Sequence, residues 1–331
     1  MLKNRILTAS LLAPLIIAAI LFLPPDGFAV FWGLIILVGA WEWGDLAGLK
    51  SGARIGFAGG ILAIMLTAHH FAIQWAPGEL PVWFYAAAVI WWAVWGLAFR
   101  RSPEKLARFQ YPRWALVLAG LWTLCSGWVL MVWLRLNFSE YQVLYLALLI
   151  WLADIAAYFT GKNWGFTKLA EVISPGKTVE GVYGSLAAAI VMALAVGLFM
   201  QFDSLNLVDF VFLSLFTVAF SVIGDLFESL AKRVRGVKDS GVILPGHGGM
   251  LDRIDSLLSG VAVFYAGSLL IPIFLQMGAS LEPEMILQSD EQTTIEAPAG
   301  HDHGATTDAE PPSVDEHDAG TEQPAHHEEA H

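Results

Sequence analysis

One segment of the chain concentrates the residue types that bind a polyphosphate together with its metal ion. It covers residues 228–256, reads ESLAKRVRGVKDSGVILPGHGGMLDRIDS, and lies between two apolar runs. Five cations and five glycines alternate in it with the carboxylates of Asp239, Asp252 and Asp255. Cations neutralise phosphate oxygens, carboxylates bind the ion, and glycines let backbone N–H groups approach phosphate closely. A solvated basic loop is the simpler alternative, but it would not require all three residue types.

The carboxylates of this region have a spacing that suits a divalent cation. If a helix begins near Asp252, then Asp252 and Asp255 share one face of it because they are three residues apart. Asp225 ends the preceding apolar run, and Lys232 follows two turns later on the same face. We expect Asp225, Asp252 and Asp255 to meet as hard oxygen ligands of Mg²⁺. His247 lies between glycines with no Cys or second His nearby, which favours a phosphate or loop contact over a soft-metal site.

Asp154 marks a second candidate site, because it lies inside the apolar run WLADIAAYFTGK. A carboxylate at membrane depth is costly and is a functional candidate by default, with a hydrogen bond between helices as the structural alternative. Tyr158 and Lys162 follow at intervals of one helical turn on the same face.

A third candidate site is the short turn SPGKT at residues 174–178, which precedes an apolar run. It presents Ser174, Lys177 and Thr178 ahead of a helix N-terminus, an arrangement that favours phosphate binding. The glycine spacing is not that of a P-loop. By itself the turn is a weak signal, and an ordinary basic connection between two spans is the simpler interpretation.

The composition is that of an integral membrane protein. Of 331 residues, 56% are hydrophobic and only 15% are charged, and the mean hydropathy is +0.59. Soluble proteins carry about 25% charged residues. The formal charge of −12 comes from the C-terminal end, since residues 282–331 hold 14 acidic residues and no Lys or Arg. The single cysteine, Cys125, lies in an apolar run and cannot form a disulfide within one chain.

Apolar runs long enough to cross a bilayer predict an all-α, polytopic fold with nine membrane helices and a disordered acidic tail. With a cytoplasmic N-terminus, 17 of the 18 Lys and Arg residues fall on the cytoplasmic side and only Arg135 on the other. This asymmetry predicts a multi-pass inner-membrane protein whose C-terminal tail lies on the opposite side. The expected spans are Ile6–Leu23, Phe28–Leu46, Gly56–Trp75, Val82–Phe99, Trp114–Leu134, Tyr141–Thr160, Val182–Phe202, Phe210–Phe227 and Leu257–Met277.

These patterns divide the chain into three regions. Residues 1–135 are N-terminal transmembrane helices, residues 136–280 carry a nucleotide and metal site at the cytoplasmic face, and residues 281–331 form the acidic tail. The tail holds six of the nine histidines and has no apolar periodicity, so we expect disorder there. Its histidines could bind Zn²⁺ or Cu²⁺ loosely, but a solvated tail is the simpler interpretation.

A long motif runs through the polar segment and into the last span. It reads Ser229-x-x-Lys232-Arg233, then Lys238-Asp239-x-Gly241, then Pro245-x-His247-Gly248-Gly249-x-x-Asp252-Arg253-x-Asp255. The motif resembles the signature of the phosphatidate cytidylyltransferase (CDP-diacylglycerol synthase) family, and the similarity extends over about 151–277. The first 150 residues agree only in being apolar spans. Two features depart from the family pattern: Ala231, where a bulky apolar residue is usual, and the acidic tail.

The resemblance implies transfer of a cytidylyl group from CTP to phosphatidate, which yields CDP-diacylglycerol and pyrophosphate. By matched position, Asp225, Asp252 and Asp255 would hold Mg²⁺ and act with Lys232 as catalytic residues, and a second cation, monovalent or divalent, is left open. The remaining matched positions would bind the substrates: Ser174, Lys177, Thr178, Ser229, Arg233, Lys238, Asp239, His247, Gly248, Gly249 and Arg253. A homodimer in the lipid bilayer is also implied, and no nucleic-acid partner is expected.

Other activities remain as alternatives at this point. A CTP-dependent lipid kinase would need a related site but would transfer the γ-phosphoryl group and release CDP. A CDP-alcohol phosphatidyltransferase would require an Asp-Gly-x-x-Ala-Arg run, which the sequence lacks. A transporter would place its polar residues near the membrane midplane, whereas those of this chain gather at one end of the spans.

Overall fold

The computed structural model describes residues 2–74, 80–241, 243 and 248–271, with only the backbone for residues 2–11 and 72–74. Ten helices and two short strands make up this part of the chain. The helices are α1 (Leu2–Phe22), α2 (Pro25–Leu46), α3 (Ser51–Gln74), α4 (Val82–Arg101), α5 (Pro103–Arg108), α6 (Arg113–Asn137), α7 (Glu140–Trp164), α8 (Val179–Phe199), α9 (Ser204–Arg235) and α10 (Leu251–Ser268). The strands β1 (Lys168–Ala170) and β2 (Ser174–Thr178) lie between α7 and α8.

Each of the nine expected spans overlaps one long helix in the described residues, so the all-α membrane fold is confirmed. Seven helices, α2, α3, α4, α6, α7, α8 and α9, are long and apolar enough to cross a membrane. The other two long helices of the described part are α1 and α10, and the first turns of α10 include Asp252, Arg253 and Asp255. The chain is therefore a multi-pass membrane protein, while the total of nine spans stays a prediction. The acidic tail lies outside the described residues.

Helix α9 is longer than the apolar run predicts, because it continues past Phe227 to Arg235. The added residues ESLAKRVR contain no Gly or Pro and have good helix propensity. The helix ends at Gly236, whose φ of 76° lies in the left-handed region. Gly236 N–H donates to Arg233 O at 3.0 Å and Val237 N–H to Lys232 O at 2.9 Å, the two bonds of a Schellman motif. Two turns of α9 thus carry polar side chains beyond the apolar span.

Helix α10 begins at Leu251, six residues before the expected span at Leu257. It packs so closely on α9 that a Cβ added at Gly224 would lie 2.9 Å from Ser259 Cβ. This close approach puts the polar end of α9 directly beside the first turn of α10. The sequence prediction that a helix begins near Asp252 is therefore correct.

A ring of aromatic side chains fixes α9 against the N-terminal helices. The ring of Phe227 lies 5.5 Å from that of Trp43 in α2, and 5.5 and 4.8 Å from those of Trp92 and Trp95 in α4. Aromatic pairs at such distances add to the stabilisation that burial gives. The helices of the first half therefore hold the polar end of α9 in place.

The prediction of a turn at SPGKT is wrong, because these residues form strand β2 of a β-hairpin. Strands β1 and β2 pair antiparallel, with Lys168 opposite Thr178 and Ala170 opposite Ser174. Thr178 ends β2 and is the N-cap of α8, since its Oγ1 accepts a hydrogen bond from Gly181 N–H at 3.1 Å. The hairpin is thereby held rigidly between α7 and α8, at the same end of the bundle as the polar part of α9.

Candidate active site

Lys232 is the centre of a buried charged network that joins α9 to α10. Its Nζ lies 2.6 Å from Glu228 Oε2, one turn earlier in α9, and 2.6 Å from Asp252 Oδ1 in the first turn of α10. Glu228 and Lys232 are both buried. Charged groups are costly to bury unless they are paired and hydrogen-bonded. The three side chains therefore depend on each other for their place in the protein interior.

Asp252 receives hydrogen bonds on both of its carboxylate oxygens. Besides the Lys232 contact on Oδ1, its Oδ2 accepts bonds from Ser240 N–H at 3.1 Å, Ser240 Oγ at 3.0 Å and Gly249 N–H at 2.8 Å. Gly248 has φ of 82°, and a Cβ at this position would lie 2.6 Å from Asp252 Oδ2. Only glycine satisfies both conditions. The turn at residues 248–249 is shaped around the Asp252 carboxylate.

A second group of charges lies beside this network. Lys177 Nζ is 2.5 Å from Asp225 Oδ2, and Ser229 Oγ donates to Asp225 Oδ1 at 3.2 Å. Asp255 and Asp154 line one cavity together. The sequence-predicted residues of three separate segments, on α7, β2 and the α9–α10 pair, are thus brought together at one end of the bundle.

An apolar cavity of about 270 Å³ ends at these charged residues. Aliphatic and aromatic side chains from α1, α2, α6, α7 and α10 form its walls. Its polar end consists of Asp154, Asp252, Arg253 and Asp255. Clefts with apolar walls and a few convergent polar groups are the usual form of ligand sites. This one has the shape and chemistry to hold an apolar chain with its polar head at the carboxylates and Arg253.

The β-hairpin supplies Lys177 to the charged group and is itself tied to α9. Arg233 Nε donates to Ile173 O at 2.9 Å, and Arg233 Nη1 to Val237 O at 3.3 Å. Thr178 is buried, and its hydroxyl accepts the capping bond of α8. Arg233 and Thr178 therefore make structural contacts in this arrangement, whereas Lys177 reaches a carboxylate of the site.

The remaining sequence-predicted residues that the structure describes are Ser174, Lys238 and Asp239. Ser174 opens strand β2 opposite Ala170. Lys238 and Asp239 are exposed and line a separate cavity of about 480 Å³ together with Ser240. His247 lies outside the described residues, so its expected phosphate contact stays a prediction.

Comparison with known proteins gives one consistent family for this chain. Residues 3–270 match the model of the cytidylyltransferase family. The chain is 39% identical over 268 residues to a phosphatidate cytidylyltransferase of Pseudomonas aeruginosa, an alignment that covers 80% of this chain and 96% of that relative. The corresponding protein of Haemophilus influenzae is 36% identical over 286 residues, covering 80% and 97%. The chain belongs to the cytidylyltransferase family.

Membership in the cytidylyltransferase family makes the chain a membrane enzyme of the nucleotidyltransferase class. The matched region begins in α1 and ends just after α10. It therefore covers all the described helices, whereas the resemblance visible in the sequence motifs was confined to about 151–277. A shorter alignment of 118 residues reaches 47% identity with a phosphatidate cytidylyltransferase of Staphylococcus aureus, covering 36% of this chain and 45% of that relative.

Sequence reasoning missed Glu42, a buried residue of α2 whose carboxylate contacts Ser240 and the backbone at the start of α10. Its oxygens accept hydrogen bonds from Met250 N–H at 2.9 Å and Leu251 N–H at 2.8 Å, and Ser240 Oγ lies 3.1 Å from Oε2. The rule that singled out Asp154, a carboxylate inside an apolar run, applies equally to Glu42 in the run GAWEWGDL. Its place near the end of the run made it look like an ordinary boundary residue.

The carboxylates of Asp225, Asp252 and Asp255 are suitable ligands for a hard cation, but they are not arranged around a single metal position. Among the described residues, no three His, Cys, Asp or Glu side chains are placed so as to hold a metal ion. Lys177 lies against Asp225 and Lys232 against Asp252, so ammonium groups neutralise two of the three proposed ligands. Carboxylates alone nevertheless match the oxygen preference of Mg²⁺. The assignment of Asp225, Asp252 and Asp255 to a metal stays a prediction.

Proposed function

We propose that this chain is a phosphatidate cytidylyltransferase, which transfers the cytidylyl group of CTP to the phosphate of phosphatidate. The observation that carries the proposal is the apolar cavity that ends at a cluster of carboxylates and cations. A lipid phosphate and a water-soluble nucleotide must meet at such a boundary between apolar and charged surfaces. The names of the relatives from Pseudomonas aeruginosa and Haemophilus influenzae support the same reaction.

The cavity is the proposed site of phosphatidate. Its walls can hold part of an acyl chain, because Ile20, Phe28 and Trp32 offer a continuous apolar surface. Arg253 lies at the polar end and is exposed, so its guanidinium is placed to contact the lipid phosphate. The lipid would thereby present a phosphate oxygen to the charged cluster.

In the proposed reaction this phosphate oxygen attacks the α-phosphorus of CTP in line. A new P–O bond forms, the bond between the α-phosphorus and the bridging oxygen breaks, and pyrophosphate leaves. The protein contributes mainly position and charge neutralisation. Lys177 and Lys232 are the cations closest to the carboxylates, and in the proposal they hold phosphate oxygens of CTP. Lys238 and Ser174, nearer the surface, complete the nucleotide site.

A divalent metal, proposed to be Mg²⁺, would be held by Asp225 and Asp255. When bound, it would neutralise charge on the triphosphate and the leaving pyrophosphate. Asp252 would join as a third ligand only by giving up some of its present hydrogen bonds. Without the metal, the ammonium group of Lys177 neutralises Asp225.

The proposed orientation places the charged cluster on the cytoplasmic side, where CTP is present. Contacts between residues near the ends of α2, α3 and α9 support the proposal that these ends lie on the same side of the bundle. Arg54 pairs with Asp45 at 3.2 Å, and Arg235 Nε donates to Asp45 O at 3.0 Å. The excess of Lys and Arg at this end favours the cytoplasm. The same proposal includes a homodimer and a second cation. It also includes the division of the chain into residues 1–135, 136–280 and 281–331.

Labelled CTP tests the proposal. Purified protein in detergent is supplied with phosphatidate, Mg²⁺ and CTP that carries its label on either the α- or the γ-phosphate. We expect the α-label to enter the lipid while pyrophosphate is released in equal amount. Entry of the γ-label would make the chain a lipid kinase. Absence of transfer to phosphatidate and to a panel of lipid alcohols by folded protein would refute the enzyme proposal and favour a transporter.

A further inference from the structure

The carboxylate of Glu42 joins α2, in the N-terminal half of the chain, to the start of α10. Glu42 is only 2% exposed. Its Oε1 accepts Met250 N–H at 2.9 Å, and its Oε2 accepts Leu251 N–H at 2.8 Å. The partners are 208 and 209 positions apart in the sequence. No motif of the proposed reaction includes this residue.

These bonds supply the cap that α10 lacks. The N-cap residue Met250 has helical backbone angles, and no side chain at that position caps the helix. The first backbone N–H groups of a helix have no partner within the helix and need an acceptor. A carboxylate at this end also interacts favourably with the helix dipole. Glu42 therefore caps α10 from a different helix, and Asp252 lies in the first turn that it caps.

The turn before α10 is built to admit this carboxylate. A Cβ at Gly249 would lie 2.5 Å from Glu42 Oε2, and a Cβ at Gly241 would lie 2.8 Å from Glu42 Cδ. Any side chain at either position would displace the carboxylate. Two glycines of the motif, which suggest close approach to phosphate when read from the sequence, here enclose a protein carboxylate.

Ser240 connects Glu42 to the catalytic network. Its hydroxyl lies 3.1 Å from Glu42 Oε2 and 3.0 Å from Asp252 Oδ2, and its N–H donates to the same Asp252 oxygen. The other oxygen of Asp252 holds Lys232. A shift of the Glu42 carboxylate would therefore change the orientation of Asp252 through Ser240, and that of Lys232 through Asp252.

We propose that Glu42 is a positioning residue of the active site. Its carboxylate, whose two oxygens are engaged by the N–H groups of Met250 and Leu251, fixes the first turn of α10 and Ser240, and through them it sets the orientation of Asp252 and Lys232. The catalytic part of this inference rests on the proposed function. The structural part, fixing the first turn of α10, does not.

The test compares Glu42→Gln with Asp45→Asn, a matched control that removes an acid from the same helix. Gln has the same size but offers one acceptor oxygen in place of two. We expect kcat to fall at least about tenfold, the effect of losing roughly one hydrogen bond to a charged group. The KM values for CTP and phosphatidate should change less than about twofold, because no substrate contact is lost. Asp45→Asn should leave kcat within about twofold.

Three further variants guard against a mere folding defect. Ser240→Ala breaks the link to Asp252 but keeps the helix cap, so it should also lower kcat several-fold. The double variant Glu42→Gln/Ser240→Ala should lose less than the product of the single effects, since both act on one network. Glu42→Asp should restore part of kcat. Unchanged kcat in Glu42→Gln, or, if that variant does not fold, unchanged kcat in Ser240→Ala, would overturn the proposal.

Hydrogen exchange separates this proposal from the proposed reaction. In Glu42→Gln the amides of residues 248–256 should exchange about tenfold faster than in the unmodified chain, while those of α4 should not change. If the unmodified chain transfers nothing from CTP to phosphatidate, the proposed function fails but the exchange experiment still decides the structural claim. Equal exchange in both proteins would refute the role of Glu42.

Discussion

Replacing Lys232 by Met should strongly destabilise the protein and abolish turnover. Met keeps the apolar part of the side chain but removes the ammonium group that lies 2.6 Å from Glu228 Oε2 and 2.6 Å from Asp252 Oδ1. Breaking a buried ion pair by removing one partner costs about 3–5 kcal/mol, because the remaining charge is left uncompensated. Here two carboxylates lose the same cation, and Glu228 is only 2% exposed. We expect the free energy of unfolding to fall by about 3–5 kcal/mol.

The measurement is an unfolding titration with SDS in mixed micelles, followed by the fluorescence of the 14 tryptophans. Lys238→Met is the matched control, since this lysine is exposed and should change stability by no more than about 0.5 kcal/mol. The double variant Lys232→Met/Glu228→Gln removes one of the two uncompensated carboxylates. It should recover part of the lost stability without recovering activity.

The reasoning would be refuted if Lys232→Met lost less than about 1 kcal/mol, the range of an exposed pair. It would also fail if the double variant were no more stable than the single one. Either result would mean that the contacts of Lys232 with Glu228 and Asp252 do not form a buried ionic network.

Three further predictions concern the turn, the hairpin and the metal. Gly248→Ala introduces a Cβ 2.6 Å from Asp252 Oδ2 at a left-handed position, so kcat should fall at least about tenfold, and a normal kcat would contradict the role of this turn. Thr178→Ala removes the cap of α8 and should lower the free energy of unfolding by about 1 kcal/mol with kcat changed less than about twofold. A larger loss of kcat at full stability would instead indicate the substrate contact that the family resemblance implies. Chelation by EDTA should abolish transfer and added Mg²⁺ should restore it, whereas activity that persists after chelation would remove the metal from the mechanism.

The positions of the helices could be predicted from the sequence because each span is a local property. Every expected span overlaps a helix in the described residues, since the length of an apolar run indicates where a chain can cross a membrane. The ends were less accurate. Helix α9 continues to Arg235 because nothing stops it before Gly236, and α10 begins six residues early because Glu42 and the backbone turn at 248–249 provide its cap.

The members of the candidate site were also largely predictable, but their partners were not. Residue type and spacing indicated Asp225, Lys232, Asp252 and Asp255; Lys232 and Asp252 form an ion pair, and the metal-binding role of the three aspartates stays a prediction. The partner of Lys177 could not be inferred, because the contact with Asp225 depends on how the hairpin packs against α9. Such contacts join distant segments and leave no periodic signal in the chain.

The sequence indicated Gly248 and Gly249 as important residues, but the structure gives a different reason for their presence. The sequence suggested that Gly248 and Gly249 let the backbone approach a phosphate. In the structure, Gly249 N–H donates to Asp252, and side chains at these two positions would collide with Asp252, Ser240 or Glu42. Within the described residues, the glycines therefore make room for the carboxylates that organise the turn.

The most direct test of the account measures transfer of the α-phosphate label from CTP into phosphatidate by the unmodified chain and by Asp252→Asn in matched proteoliposomes. Lys232, Ser240 and Gly249 donate hydrogen bonds to the Asp252 carboxylate. In Asn an amide NH2 group replaces one of the two acceptor oxygens, so at least one of these donors would face another donor. The account predicts lipid-bound label and one pyrophosphate per transfer for the unmodified chain, and a rate at least about 100-fold lower for Asp252→Asn at equal membrane insertion. Equal rates for the two proteins, or no labelled lipid from the folded unmodified chain, would contradict it.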